Sequence, residues 1–266
     1  MHKILLLLTL AIVVKMDAQC QAFVTKIDYQ KTQQSAAGIQ FSYPSGTVED
    51  AVKEYMNKKG YKSSSSKGFI VFKAAALDST DADLSDLYFT VDRKSRKEKD
   101  ITLITLLPTK KNEDILARAQ ADDPKIEKAK AFLDNMAPFI DAYQIQLQLA
   151  SQTEVVKKAE KKLNSLLSDE NDLNKKIRRL QNDSADNKKD QVKVAADLKT
   201  NVNADDATKT KDHKKLSKLL DNEGDLAKKL RDTMADLDQN KRDQATMRQE
   251  LDKQRQSFDA IKARQK

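Results

Sequence analysis

The chain opens with an apolar run at residues 4–14, interrupted only by Thr9, preceded by His2-Lys3 and followed by the more polar Lys15-Met16-Asp17-Ala18. A positive start, a short apolar stretch and a small residue before the next segment mark a secretory signal peptide over residues 1–18. The run falls well short of the roughly 20 residues that a bilayer-spanning helix needs. Cleavage after Ala18 makes Gln19 the mature N-terminus and sends the protein to the periplasm or the extracellular space. Lipid anchoring at Cys20 is the less favoured alternative, because Gln19 suits the position before a lipid-modified Cys poorly.

Residues 19–38 hold no sustained period and read as a flexible lead. From Ile39 the pattern sharpens: Ile39-Gln40-Phe41-Ser42-Tyr43 alternates and stops at Pro44, as a short strand does. Thr47 fits an N-cap, with Glu49 and Asp50 in the first turn. Val48, Val52, Tyr55 and Met56 then make one helical face, and Gly60 ends it. Three strand-like runs follow, at residues 69–72, 87–91 and 101–107, the last meeting Pro108. A charged hairpin tip at residues 92–100 joins the second to the third. A helix carrying Ile115, Leu116, Ile126, Ala129, Phe132 and Leu133 comes next, with interruptions expected at Pro124 and Pro138. Ser63-Ser64-Ser65-Ser66 reads as a loop. The order β-α-β-β-β-α predicts a small α+β head over residues 39–143, an antiparallel sheet with helices on one face.

Beyond residue 144 the period changes. Val156, Leu163 and Ile177 share one position of a seven-residue repeat, and Ala159, Leu166, Leu173 and Leu180 share the other. Leu216, Leu230, Leu237, Leu251 and Phe258 belong to a second register, with Leu219, Leu226, Met247 and Ile261. Sustained a/d spacing among Lys, Glu, Asp and Gln is the coiled-coil pattern. Residues 161–200 also align without a gap onto residues 214–253, at an offset of 53, with about 40% of positions identical. Matches at polar positions, such as Asn187 with Asn240 and Asp190-Gln191 with Asp243-Gln244, favour duplication over coincidence.

The duplication predicts helical copies at residues 144–199 and 214–266. The connector at residues 200–213 is rich in Asn, Asp and Thr, which compete with helical backbone bonds. A long α-helical coiled coil folded back as a hairpin is therefore favoured over one continuous helix. The stretch at residues 182–191 lacks apolar seam residues and weakens the first arm.

Composition agrees with this division. Only Phe258 of the aromatic residues lies beyond Tyr143, and all four Pro lie before it. One Cys excludes an intrachain disulfide, and two His leave little for metal or His-based catalysis. The chain carries no Gly-rich phosphate loop, no His-Glu-x-x-His and no Cys pair. No catalytic, metal or cofactor-binding residue is expected, and the protein is read as not an enzyme. Net charge is +8, but Lys and Arg alternate with Asp and Glu through the helical half, which argues against nucleic acid.

The sharpest basic cluster is Arg93, Lys94, Arg96, Lys97 and Lys99 at the hairpin tip. It is a candidate docking point for an anionic envelope surface; the plainer reading is a solvated turn that protects a sheet edge. Lys175-Lys176-Ile177-Arg178-Arg179 and Lys228-Lys229-Leu230-Arg231 straddle seam positions and suit helix pairing.

Val48-Glu49-Asp50-Ala51-Val52, Lys58-Lys59-Gly60-Tyr61, Ser66-Lys67-Gly68-Phe69, Asp86-Leu87-Tyr88-Phe89, the basic tip, Ala131-Phe132-Leu133 and residues 155–163 together carry a resemblance. The chain resembles uncharacterised exported bacterial proteins with a small N-terminal α/β domain and a C-terminal coiled coil. That resemblance implies the same architecture and brings no activity; the second helical copy departs from it. In bulk character the chain is also similar to periplasmic holdase chaperones with helical arms. The expected function is a non-enzymatic exported scaffold or adaptor of the cell envelope. Its coiled coil pairs with itself or with another helical protein. The alternative is a holdase-type chaperone.

Overall fold

The computed structural model describes residues 21–29, 31–78, 84–95, 98, 100–110, 124–200 and 205–265. The chain divides into two compact units, residues 1–147 and 148–266. The first is an α+β head and the second a helical hairpin.

Six antiparallel strands build the head: β1 (Phe23–Tyr29), β2 (Thr32–Phe41), β3 (Ser63–Ser66), β4 (Phe69–Ala75), β5 (Ser85–Arg93) and β6 (Thr102–Lys110). Their order across the sheet is β1-β2-β6-β5-β4-β3. Helix α1 (Ser45–Lys58) and the first turns of α2 (Pro124–Thr200) cover one face.

Strand periodicity selects which residues meet the helices. Ala37, Ile39 and Phe41 of β2, Ile104 and Leu106 of β6, Leu87 and Phe89 of β5 and Phe72 of β4 join one core. From α1 come Val48, Ala51, Val52 and Met56; from α2 come Ala129, Phe132, Leu133, Met136, Ala137 and Ile140. Both sets keep the three-and-four spacing of an amphipathic helix. Phe72 and Phe89 pack edge to face at 5.7 Å, and Tyr55 meets Phe132 at 5.9 Å. Each buried Phe contributes on the order of 2–3 kcal/mol of transfer free energy. On the opposite face Ala36 and Leu107 form a second small cluster under Ile27, Tyr29 and Tyr88, and Phe69 and Val71 of β4 are buried there as well.

Several sequence expectations change here. The expected flexible lead at residues 19–38 contains β1 and most of β2, so its described part is largely strand. β2 tolerates Gly38 because the Phe23 ring of the neighbouring strand lies over it; a Cβ there would stand 3.2 Å from the ring. Ser63–Ser66 is the edge strand β3, not a loop. Lys67 and Gly68, at φ +48° and +83°, form the two-residue turn that closes it onto β4. Helix α1 begins at Ser45 with Pro44 at its N-cap, two residues before Thr47. α2 starts at Pro124, a favourable first position, and continues through Pro138. Ile115 and Leu116, and the signal segment with Cys20, lie outside the described residues.

One polar device holds the edge of the sheet. The pairing of β4 with β5 shifts register between Phe72 and Ala75, where Ala74 takes φ +49°. The buried Asp86 carboxylate accepts the Ala74 N–H at 2.9 Å and the Lys73 ammonium at 2.7 Å. Asp86→Ala leaves that strained amide without its acceptor and should cost about 1–3 kcal/mol of head stability in denaturant melts. The hydrogen bond to Asp86 raises the Lys73 pKa. Its contribution is thus complete at neutral pH and fades only as pH climbs through the alkaline range of the Lys side chain.

Candidate functional site

The second unit is built from one repeating problem. α2 beyond Gln148 and α3 (Asp206–Ala263) are polar over most of their circumference. Each can leave water only along one narrow stripe. Apart from Glu250, the buried or half-buried positions of α3 recur at 209, 212, 216, 219, 223, 226, 230, 233, 237, 240, 244, 247, 251, 254, 258 and 261. This is an unbroken alternation of three and four. On α2 the matching stripe includes 152, 156, 163, 166, 170, 173, 177, 180, 184, 187, 191, 194 and 198.

The sixteen apolar seam candidates, from Val156 to Ile261, are all buried or half-buried, and all but Ala159 are among the positions just given. Val194, Leu180, Leu226 and Leu251 are the most buried of the stripe's apolar residues.

Cross-helix contacts fix the direction. Gln152 meets Gln254, Leu166 meets Asn240, and Asn187 meets Leu219. One index rises as the other falls, so the helices run antiparallel as a hairpin. The helices come closer to the turn than the expected connector at 200–213: α2 reaches Thr200, and Asp205 caps α3.

The stripe is not wholly apolar. Asn187 Nδ2 donates to the Leu219 carbonyl at 2.9 Å, and Gln191 Nε2 donates to the same carbonyl at 3.3 Å and to Glu223 Oε2 at 2.9 Å. Further along, Asn240 Nδ2 donates to the Leu166 carbonyl at 3.1 Å, and Gln244 Nε2 donates to that carbonyl at 3.5 Å and to Glu170 Oε2 at 2.7 Å. Asn187 and Asn240 also have their side-chain oxygens occupied, by Asn222 and Gln244 respectively.

A buried amide left unpartnered costs about 1–3 kcal/mol. Sliding one helix along the other would strand both clusters at once. The pairs thus select a register as well as adding modest stability. The stretch at 182–191, expected to weaken the first arm for lack of apolar residues, carries Ser184, Asn187 and Gln191 on the stripe. Sequence reasoning missed these polar positions because it scored only apolar ones. The identities shared by the two copies were the available signal.

Near the end of α3 the stripe widens into a groove of about 430 Å³ between Val156 and Phe258, rimmed by Thr153, Lys157, Glu160 and Arg255. In the head, Arg93 ends β5, while Lys94 is exposed and lies 3.8 Å from Glu98. Arg96, Lys97 and Lys99 lie outside the described residues. The cluster is therefore described only in part, and half of that part is already paired with a carboxylate. His213 is exposed on α3. Among the described residues no group of three or more His, Cys, Asp or Glu is placed to hold a metal ion. No described helix is long and apolar enough to cross a membrane. Comparison with protein-family models, curated proteins and solved structures finds no match to this chain.

Two outcomes follow for the hairpin. Replacing both Asn187 and Asn240 by Leu should raise the thermal midpoint of the tail. It should also broaden the distance distribution between spin labels at Asp169 and Lys241, because only Gln191 and Gln244 then hold the polar register. At the turn, hydrogen bonds from the Thr208 side chain and N–H lower the Asp205 pKa. The cap's contribution is present above the ordinary carboxyl range and lost as pH falls through it. Amide protection factors in the first turn of α3 should drop below about pH 4, and Asp205→Ala should abolish that pH dependence.

Proposed function

We propose that the chain is a non-enzymatic exported protein of the cell envelope, acting as a scaffold or adaptor whose helical tail is a preformed rigid spacer. The observation that carries this reading is the seam itself. Two helices pair along an unbroken heptad stripe whose register is set by two buried amide clusters. Such a tail holds its shape without a client or partner. At 1.5 Å per residue, its paired arms extend for about 75 Å.

A holdase needs apolar surface that is accessible to unfolded chains. Here the apolar residues of the arms face each other. Among the described tail residues the exposed large hydrophobics are Val155, Val192, Leu220 and Met234, dispersed along the helices. Scattered singly, such residues make no client-binding surface.

Export rests on the signal-like segment at residues 1–18. Mass spectrometry of the secreted protein should find Gln19 as the first residue; a diacylated Cys20 would replace the released form with a membrane-anchored one. Light scattering of an unfolded outer-membrane protein tests the role. The full-length chain should leave its aggregation unchanged at substoichiometric amounts. Suppression there would establish the chaperone reading in place of the scaffold.

A further inference from the structure

Six of the hydrogen bonds that cross the tail obey the sequence repeat; the bond from Asn222 to Asn187 does not, since Asp169 stands at the matching position. Moving Asn187 and Gln191 by the 53-residue offset gives Asn240 and Gln244; moving Leu166 and Glu170 gives Leu219 and Glu223. The first donors reach Leu219 and Glu223, and the second reach Leu166 and Glu170. Each copy thus holds one complete donor set and one complete acceptor set. The stripe follows the same rule: 163, 166, 170, 173, 177, 180, 184, 187, 191, 194 and 198 all map onto stripe positions of α3.

An operation that exchanges the two copies and preserves these bonds is an approximate two-fold axis across the hairpin. It passes midway between the two clusters, near residues 177–180 of α2 and 230–233 of α3. A two-fold interface is isologous: the same patch serves both sides. We propose that each copy is a self-pairing antiparallel surface, and that the partner it fits is the same copy on a second chain of this protein. The hairpin is then a two-chain pair joined into one polypeptide. Within one chain the tether gives the neighbouring copy a high effective concentration and keeps the tail closed. An arm whose neighbour is removed from the seam is left with a complete surface for its own kind.

This inference does not depend on the scaffold reading, and its test contains no partner or client. The first measurement uses two full-length chimaeras, one carrying residues 161–200 in place of 214–253 and the other the converse. Both should remain monomeric, with native helix content and a distance under about 20 Å between labels at 169 and 241. Loss of helix or of that distance in either chimaera would show that the copies fit only each other, and would overturn the proposal.

The second measurement disables the α3 stripe in the full-length chain with L219D, L226D, L237D and L251D, and carries I177C and C20S. The chain should double its mass in light scattering. A short thiol crosslinker should join each Cys at position 177 to its counterpart on the other chain, close to the two-fold axis. A helix-depleted monomer, or a dimer that does not crosslink there, would refute self-pairing.

Discussion

The constraint on which the tail depends is that neither of its helices can bury its stripe alone. Isolated helices of such polar character gain little from local propensity and depend on packing an amphipathic face. The stripe is narrow, so the only economical solution is a second helix of the same period. The chain supplies one from its own duplicated sequence. Leucine layers provide the driving force, and the Asn and Gln layers convert an otherwise slippery contact into one register. The same separation of roles recurs wherever buried polar groups are kept in an apolar seam: affinity comes from area, specificity from the need to satisfy every amide.

The head solves a different problem with the same means. Its sheet has a helix-covered face built from alternate residues of β2, β6, β5 and β4, while the other face carries a smaller set of buried apolar residues, Ala36, Leu107, Phe69 and Val71. Hydrogen bonds tie distant segments to that core. The Ala22 N–H donates to Asp134 of α2 at 2.7 Å, and the Tyr43 hydroxyl donates to Asp141 at 2.7 Å. The Thr102 hydroxyl donates to the Tyr43 carbonyl at 2.6 Å. The start of β1 and the end of β2 are thereby fastened to the helix that covers them.

The sheet's central strands were legible in the sequence because their helix-facing positions are large and apolar: Phe72, Leu87, Phe89, Ile104 and Leu106. β1 and the first part of β2 were not: β1 buries none of its residues, and Gln33, Gln34, Ser35, Ala36 and Gly38 carry no alternating apolar signal; at Gly38 a side chain would meet the Phe23 ring and the Thr25 methyl. β3 was hidden for another reason. As an edge strand exposed on both sides it has no burial to advertise, and only the Lys67-Gly68 turn betrays it. Pro138 was expected to break a helix that packs firmly enough in the core to continue through it. In the tail the apolar stripe was readable from period alone. Its polar half was visible only as unexplained identity between copies, and its meaning required knowing which helix faces which.

The pairing of α2 with α3 is tested most directly by one distance between spin labels at the exposed positions Lys162 and Asp252 of the full-length chain. The account predicts a narrow distribution centred below about 20 Å. A separation approaching the roughly 135 Å of an uninterrupted helix at 1.5 Å per residue, or a broad spread with no short component, would contradict it.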